Sequence, residues 1–200
     1  MDNTLLSTIG ATLLAVLSAA PKIFRVLKEW REAAKKDLVV DGLQRTRRTY
    51  AAVEDIAKVS GAQRVILFAG HNGGGIPQPS SPFWVSSTYL HATTDELERV
   101  ISEYQNLKID AMGIEVLLSC QRNEHVVLKM DDLPDGSMLK KHYRVEGVKH
   151  AVLFFVDIIE NKFFFVSMAR YDDEPFSEDQ IVRASLKVNI MRQSMTYRGG

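Results

Sequence analysis

Residues 151–192 read AVLFFVDIIENKFFFVSMARYDDEPFSEDQIVRASLKVNIMR, and the fold turns on this stretch. Ala151–Ile159 and Lys162–Ala169 are apolar runs rich in β-branched and aromatic residues, separated by Glu160-Asn161. That pattern predicts an antiparallel hairpin closed by a two-residue turn. Glu174-Pro175 then ends the extended chain and opens a final helix. Ser177 is its expected N-cap, with Ile181, Leu186, Val188, Ile190 and Met191 as its apolar positions.

Upstream, Leu-Pro-Asp-Gly at 133–136 is a stop signal. It lies between a strand expected at His125–Met130 and a short helix expected over Ser137 to Val145. Ile109–Ser119 fits either a helix or a strand. Glu96–Leu107 places Leu97, Val100, Ile101 and Tyr104 on one helical face. Phe83–Leu90 (FWVSSTYL) and Arg64–Ala69 (RVILFA) read as strands. Between them GHNGGGIPQPSSP at 70–82 has four glycines and three prolines, so it is a loop. Gly42 to Ser60 carries Leu43, Tyr50, Val53, Ile56 and Ala57 at helical spacing, and Gly61 stops it.

This order, helix, two strands, helical middle, strand, short helix, hairpin, helix, resembles a GAF/PAS-like sensor domain over about residues 45–195. The carrying residues are Gly147-Val148, the hairpin 151–169, and Phe176-Ser-Glu-Asp179 at the start of the last helix. The resemblance implies an α+β fold, an antiparallel sheet flanked by helices, with a long N-terminal apolar helix added. The residues that give some members of that family their activities do not carry over. Cyclic-nucleotide binders have Asn-Lys at the end of the second hairpin strand, where this chain has Ala169-Arg170. Bilin binders use cysteine followed by histidine, whereas Cys120 precedes Gln121. A single cysteine cannot cycle through an internal disulfide, as the GAF-type methionine sulfoxide reductases require.

The chain has 200 residues, with 25 Lys+Arg against 25 Asp+Glu. The zero net charge conceals a division. Lys22–Arg48 holds nine bases and four acids, a net +5; residues 49–200 hold sixteen bases and twenty acids, a net −4; Asp2 supplies the last −1. The average disfavours a general nucleic-acid binder. Before the basic neck, Asn3 to Pro21 is uncharged and of just sufficient length for a membrane span. Basic residues on its C-terminal flank would hold the body on the cytoplasmic side, where Lys22, Arg25, Lys28 and Arg31 would meet anionic headgroups. The same region supports a second reading. Leu6, Ile9, Leu13, Val16, Ile23, Leu27 and Trp30 follow the three-and-four spacing of a helical seam, which serves oligomerisation or packing in a virion or other large assembly. The expected organisation is an N-terminal helix over 1–36 and a folded domain over 37–198.

Candidate site residues are few. Gly70-His71-Asn72-Gly73-Gly74-Gly75 follows a strand, where glycines can turn backbone N–H groups toward an anion. It matches neither phosphate-binding glycine motif. Phe83, Trp84 and Tyr89 offer apolar surface next to it. The expected ligand-binding set is therefore His71, Asn72, Gly73, Gly74, Phe83, Trp84 and Tyr89, against the plainer reading of a turn and core aromatics. Five histidines show no metal-ligand spacing, no serine lies in a nucleophile elbow, and Cys120 reads as a small core residue. No kinase, cyclase or DNA-binding helix pair follows residue 195. No metal, cofactor or nucleic acid is expected. The reading is a non-enzymatic, membrane-tethered sensory or interaction domain acting through a protein partner. The alternative is a structural assembly component.

Overall fold

A computed structural model describes residues 38–72, 82–94 and 103–196, with isolated positions at 24, 28, 30 and 31. The chain divides into two compact units, Met1–Arg45 and Thr46–Gly200. In the first, the described residues are helical, and Lys28, Trp30 and Arg31 are exposed. Leu6, Ile9, Leu13, Val16, Lys22, Ile23, Arg25 and Leu27 lie outside the described residues.

The second unit holds the sheet. Its order of elements is α1 (the 46–60 part of a helix over 38–60), β1 (Arg64–His71), β2 (Trp84–Ala92), β3 (Leu107–Lys108), α2 (Ala111–Asn123), β4 (His125–Lys129), α3 (Met138–Glu146), β5 (His150–Ile159), β6 (Lys162–Arg170) and α4 (Glu178–Thr196). All pairings are antiparallel, in the order β3-β2-β1-β6-β5-β4. The hairpin expected at 151–169 is β5–β6, and its tight turn has a local cause. Glu160 and Asn161 both take positive φ, 50° and 62°, the conformation that matches a two-residue turn to the twist of its strands.

Strands β1, β5 and β6 are covered on both faces, which is why they read as continuous apolar runs rather than as alternating ones. Side chains still alternate in space. Val65, Leu67, Val152, Phe154, Val166 and Met168 enter one core with Val53, Ile56 and Ala57 of α1 and Ala184, Val188 and Met191 of α4. Ile66, Phe68, Ala151, Leu153, Phe165 and Ala169 enter the other, with Val116, Leu117 and Cys120 of α2 and Tyr143 of α3. The unit is a three-layer α/β/α arrangement on an antiparallel sheet.

Several local expectations are corrected here. The ambiguous stretch 109–119 is helical. Asp110 is an N-cap whose Oδ1 accepts from the Gly113 N–H at 2.9 Å, and a capped start with apolar residues at Met112, Val116, Leu117 and Cys120 decides for helix. The helix expected over 96–107 does not reach its predicted end. Leu107 and Lys108 pair instead with Val85 and Trp84 as an edge strand. On α4, Leu186 and Ile190 face outward at 60% and 56% exposure, and the buried residues are Ala184, Val188 and Met191. The helix has apolar residues on two faces, and only contact with the sheet selects between them. Its start is as expected. Ser177 Oγ accepts from the Gln180 N–H, and Gln180 Oε1 accepts from the Ser177 N–H, a reciprocal capping box.

Candidate ligand-binding site

Arg64 opens β1 and is the one charged residue in an otherwise apolar strand. Alternation puts it on the same face as Ile66 and Phe68, so its side chain is committed to the core between the sheet and α2–α3. It meets Glu146, the last residue of α3. Gly147 follows at φ +81°, ending that helix in a left-handed cap and leaving Glu146 beside the sheet. Arg64 and Glu146 form an ion pair in which the side chains are 1% and 3% exposed.

A shell of hydroxyls completes it. Tyr104 donates to Glu146 Oε2, and Tyr171 donates to Oε1 at 2.8 Å. Arg64 Nη1 also donates to the Tyr104 hydroxyl at 3.2 Å, and Nη2 donates to Ser167 Oγ at 3.3 Å. The guanidinium carbon lies 5.5 Å from the Tyr104 ring centre and 5.9 Å from that of Tyr143. Arg64 Nε is buried and has no hydrogen-bond partner among the described residues.

Charge is fixed in this cluster. Burial pulls down the pKa of the Arg64 guanidinium, but the neighbouring oxygens of Tyr104 and Glu146 outweigh it and the net shift is upward. Burial raises Tyr104, Tyr143 and Tyr171, opposed but not cancelled by Arg64. The tyrosines are therefore neutral near neutral pH, and Tyr104 and Tyr171 act as donors.

A cavity of about 60 Å³, open at its mouth, rests on this cluster. Its walls come from every neighbouring element: Phe68, Val85, Leu107 and Phe165 from the sheet, Val116 and Leu117 from α2, and Met138 and Leu139 from α3. Phe68 and Phe165 stack at 5.0 Å with 13° between their planes, and Tyr104 meets Phe68 edge-on. Arg64, Tyr104, Tyr143 and Ser167 bring the polar surface, with His142 and Asp110 also lining the space. Burial acts to raise the Asp110 carboxyl. The backbone N–H groups of Met138 and Gly113 hold one oxygen each and bring it below the usual carboxylate range. Asp110 thereby ties the start of α3 to the start of α2 and fixes the two helices that wall the cavity.

No protein-family model and no curated protein matches the chain. Solved structures do match it. The GAF domain/HD domain protein from Geobacter sulfurreducens superposes with a TM-score of 0.54 at 11% identity, over 75% of this chain and 90% of that one. The phycoerythrobilin-bound GAF domain from a cyanobacterial phytochrome gives 0.54 at 12% identity, over 82% and 93%. The blue-light absorbing form of a GAF domain from Thermosynechococcus elongatus gives 0.55 at 11%, over 76% and 84%.

The domain is GAF-like. At these identities the likeness is one of backbone path, so the chemistry of the site rests on this chain's own residues.

None of the sequence-predicted residues that the structure describes lines the cavity. His71 ends β1, with Nε2 3.1 Å from Ser86 Oγ on β2. Asn72 is the next residue, and Gly73 and Gly74 lie outside the described residues. Phe83 packs in the cavity-side core, and its ring explains Gly70: a Cβ there would stand 2.7 Å from the ring. Trp84 is half-buried opposite His71. Tyr89 belongs to the opposite core, in edge-to-face contact with Tyr50 at 4.4 Å.

Missing from the expected set are Arg64, Tyr104, Tyr143, Glu146, Ser167 and Tyr171. Two signals in the sequence pointed to them. One is a lone arginine opening a strand that is otherwise core. The other is a glutamate directly before a helix-ending glycine. Neither predicts that the two meet, because 82 residues separate them.

Among the described residues, no three His, Cys, Asp or Glu side chains gather to hold a metal ion. Cys120 is fully buried on α2, its thiol donating to the Leu153 carbonyl at 3.3 Å and pushed up to about 12 by burial. The thiolate is the reactive form. Iodoacetamide at mildly alkaline pH is therefore expected to leave the folded protein unmodified and to alkylate Cys120 once urea unfolds it. Mass spectrometry reads both states, and rapid modification of the native protein would contradict the burial.

Proposed function

We propose that this GAF-like domain is a non-enzymatic sensory module that binds a small molecule in the cavity between the sheet and helices α2–α3. The bound state is then passed to a protein partner. One observation carries the reading: an apolar cavity that rests on a buried, hydrogen-bonded ion pair. Small-molecule sites are concave and mostly apolar, with a few convergent polar groups. The test is a metabolite screen by thermal shift on the full chain. A ligand at a hundred times its Kd stabilises by about 2.7 kcal/mol, which for a domain of this size raises Tm by roughly 5–10 °C. Leu139→Trp fills the cavity from α3 and is expected to abolish that rise. A rise that persists in this variant, or a broad screen without any rise, defeats the reading.

Placement is a second part of the proposal. Residues 3–21 anchor the chain in a membrane, Lys22, Arg25, Lys28 and Arg31 face its headgroups, and the GAF-like domain lies on the cytoplasmic side. Among the described residues no helix is long and apolar enough to cross a membrane, and residues 3–21 lie outside that set. Detergent-dependent extraction that is lost on deleting residues 1–21 supports the anchor; a full chain recovered without detergent sinks it.

The assembly reading draws on Val182, Leu186 and Ile190, which leave an exposed apolar row along α4. Homo-oligomerisation through the N-terminal helices is common to both readings. Native mass spectrometry in mild detergent tests it, and a monomer removes it.

A further inference from the structure

Six side chains in the cavity lining carry nitrogen or oxygen, and none of them presents a free polar group to its interior. Arg64 donates through Nη1 to Tyr104 and Glu146 and through Nη2 to Ser167, and its Nε has no accessible surface. The Tyr104 hydroxyl accepts from Arg64 and donates to Glu146. The Tyr143 hydroxyl has Ser167 and Arg64 as hydrogen-bond partners. Asp110 accepts from the Gly113 N–H on Oδ1 and from the Met138 N–H on Oδ2. His142 differs, since no described residue holds its nitrogens; its ring lies 6.0 Å from that of Tyr104, centre to centre, and the side chain is half-buried. The surface turned toward the cavity is nonetheless carbon almost throughout, so His142 gives the wall its ring carbons and leaves its nitrogens to water.

Volume narrows the shape of the occupant. The cavity measures about 60 Å³, well under the roughly 150 Å³ of an engineered apolar cavity that holds benzene. A ring needs that room all at once, whereas a chain enters end-on and leaves the rest of itself outside the open mouth. An oxygen or a charge carried inward would lose its hydration and find no partner. We propose that the cavity takes the methyl end of an unbranched alkyl chain, belonging to a free amphiphile whose polar head stays in water at the mouth. This rests on the small-molecule reading above and names its ligand class.

Calorimetry on the full chain with 1-butanol, 1-hexanol, 1-octanol and 1-decanol tests the idea. Affinity is expected to rise about fourfold per methylene while the chain fills the cavity, then to level off once further carbons lie outside it. Affinity that ignores chain length overturns the proposal. So does a rise undiminished through decanol, which would show that this cavity does not bound the chain. Cyclohexanol is expected to bind several-fold more weakly than 1-hexanol, and equal or tighter binding overturns the linear shape. Octanol, octanoate and octylammonium are expected to agree within about fivefold, because charges left in water interact weakly with the protein. A larger preference for either ion ties the head to the lining, His142 included, and overturns the proposal. Methionine methyl signals in the NMR spectrum place the chain. Met138 lines the cavity, whereas Met168 and Met191 lie in the opposite core. Octanol is expected to shift the Met138 signal, identified by its loss in Met138→Leu, and to leave the other two in place; an unmoved Met138 with octanol bound overturns the assignment. Phosphatidylcholine vesicles are expected to leave Met138 unmoved, and a shift there overturns the free amphiphile in favour of a bilayer lipid. If no alcohol binds, this proposal falls, while a metabolite that raises Tm in the screen keeps the broader reading.

Discussion

Replacing Glu146 with alanine is expected to cost about 3–5 kcal/mol, the usual consequence of removing one partner from a buried ion pair. The carboxylate is 3% exposed and faces a guanidinium that is 1% exposed. Its removal leaves Arg64 charged in an apolar interior and strips the acceptor from two tyrosine hydroxyls, Tyr104 and Tyr171. Tm should fall on the order of 10 °C for a domain of this length.

The pair is not thereby a source of net stability. Desolvating two ions costs about as much as their attraction returns, and apolar replacements of buried pairs are often neutral. The double variant Arg64→Met with Glu146→Gln is accordingly expected to recover most of the loss. Urea unfolding of the wild type, single and double variants reads the difference. A single variant as stable as the wild type would show that the pair is not buried as described. A double variant no better than the single would show that the penalty is not the unpaired charge.

The second large effect is in the other core. Phe154 is 1% exposed, in the layer between the sheet and helices α1 and α4, where Val152, Val156 and Met168 pack with it. Phe154→Ala removes a whole ring from a close-packed site and is expected to cost about 3–5 kcal/mol, transfer and cavity contributions together. Leu186→Ala on α4 is the contrast. At 60% exposure Leu186 loses little on truncation, and the change should stay within about 0.5 kcal/mol. Midpoints of chemical unfolding decide both. If Leu186→Ala destabilises as much as Phe154→Ala, then α4 presents its other face to the core and the packing of this layer is misassigned.

These two contrasts mark the division between what was legible in the chain and what was not. The hairpin at 151–169 was legible because its determinants are local: two apolar strands and a two-residue turn whose residues accept positive φ. Helix α3 was legible for the same reason, with Ser137 at its start and Gly147 at its end. Asp110 is an N-cap of the same type, and reading it as one would have settled 109–119 as helix. The choice of buried face on α4 was not legible, because Val182, Leu186 and Ile190 compete with Ala184, Val188 and Met191 and only the sheet breaks the tie.

The sequence by itself determined strands β1 and β2, the short helix α3, the antiparallel hairpin and the final helix, and the charge division between a basic neck and an acidic body. All of these depend on residues near one another in the chain. The tertiary structure alone decided the site. A conspicuous glycine-rich loop drew attention to His71 and Trp84, yet the cavity is lined by ordinary leucines, valines and phenylalanines brought in from the sheet, α2 and α3. Its polar end joins Arg64, Tyr104, Glu146 and Tyr171, residues whose types are common and whose hydrogen-bonded pairs lie up to 82 positions apart. A buried ion pair is a statement about two distant places having the same address, and pairing at that range is set by how the sheet curls under its helices rather than by any local pattern.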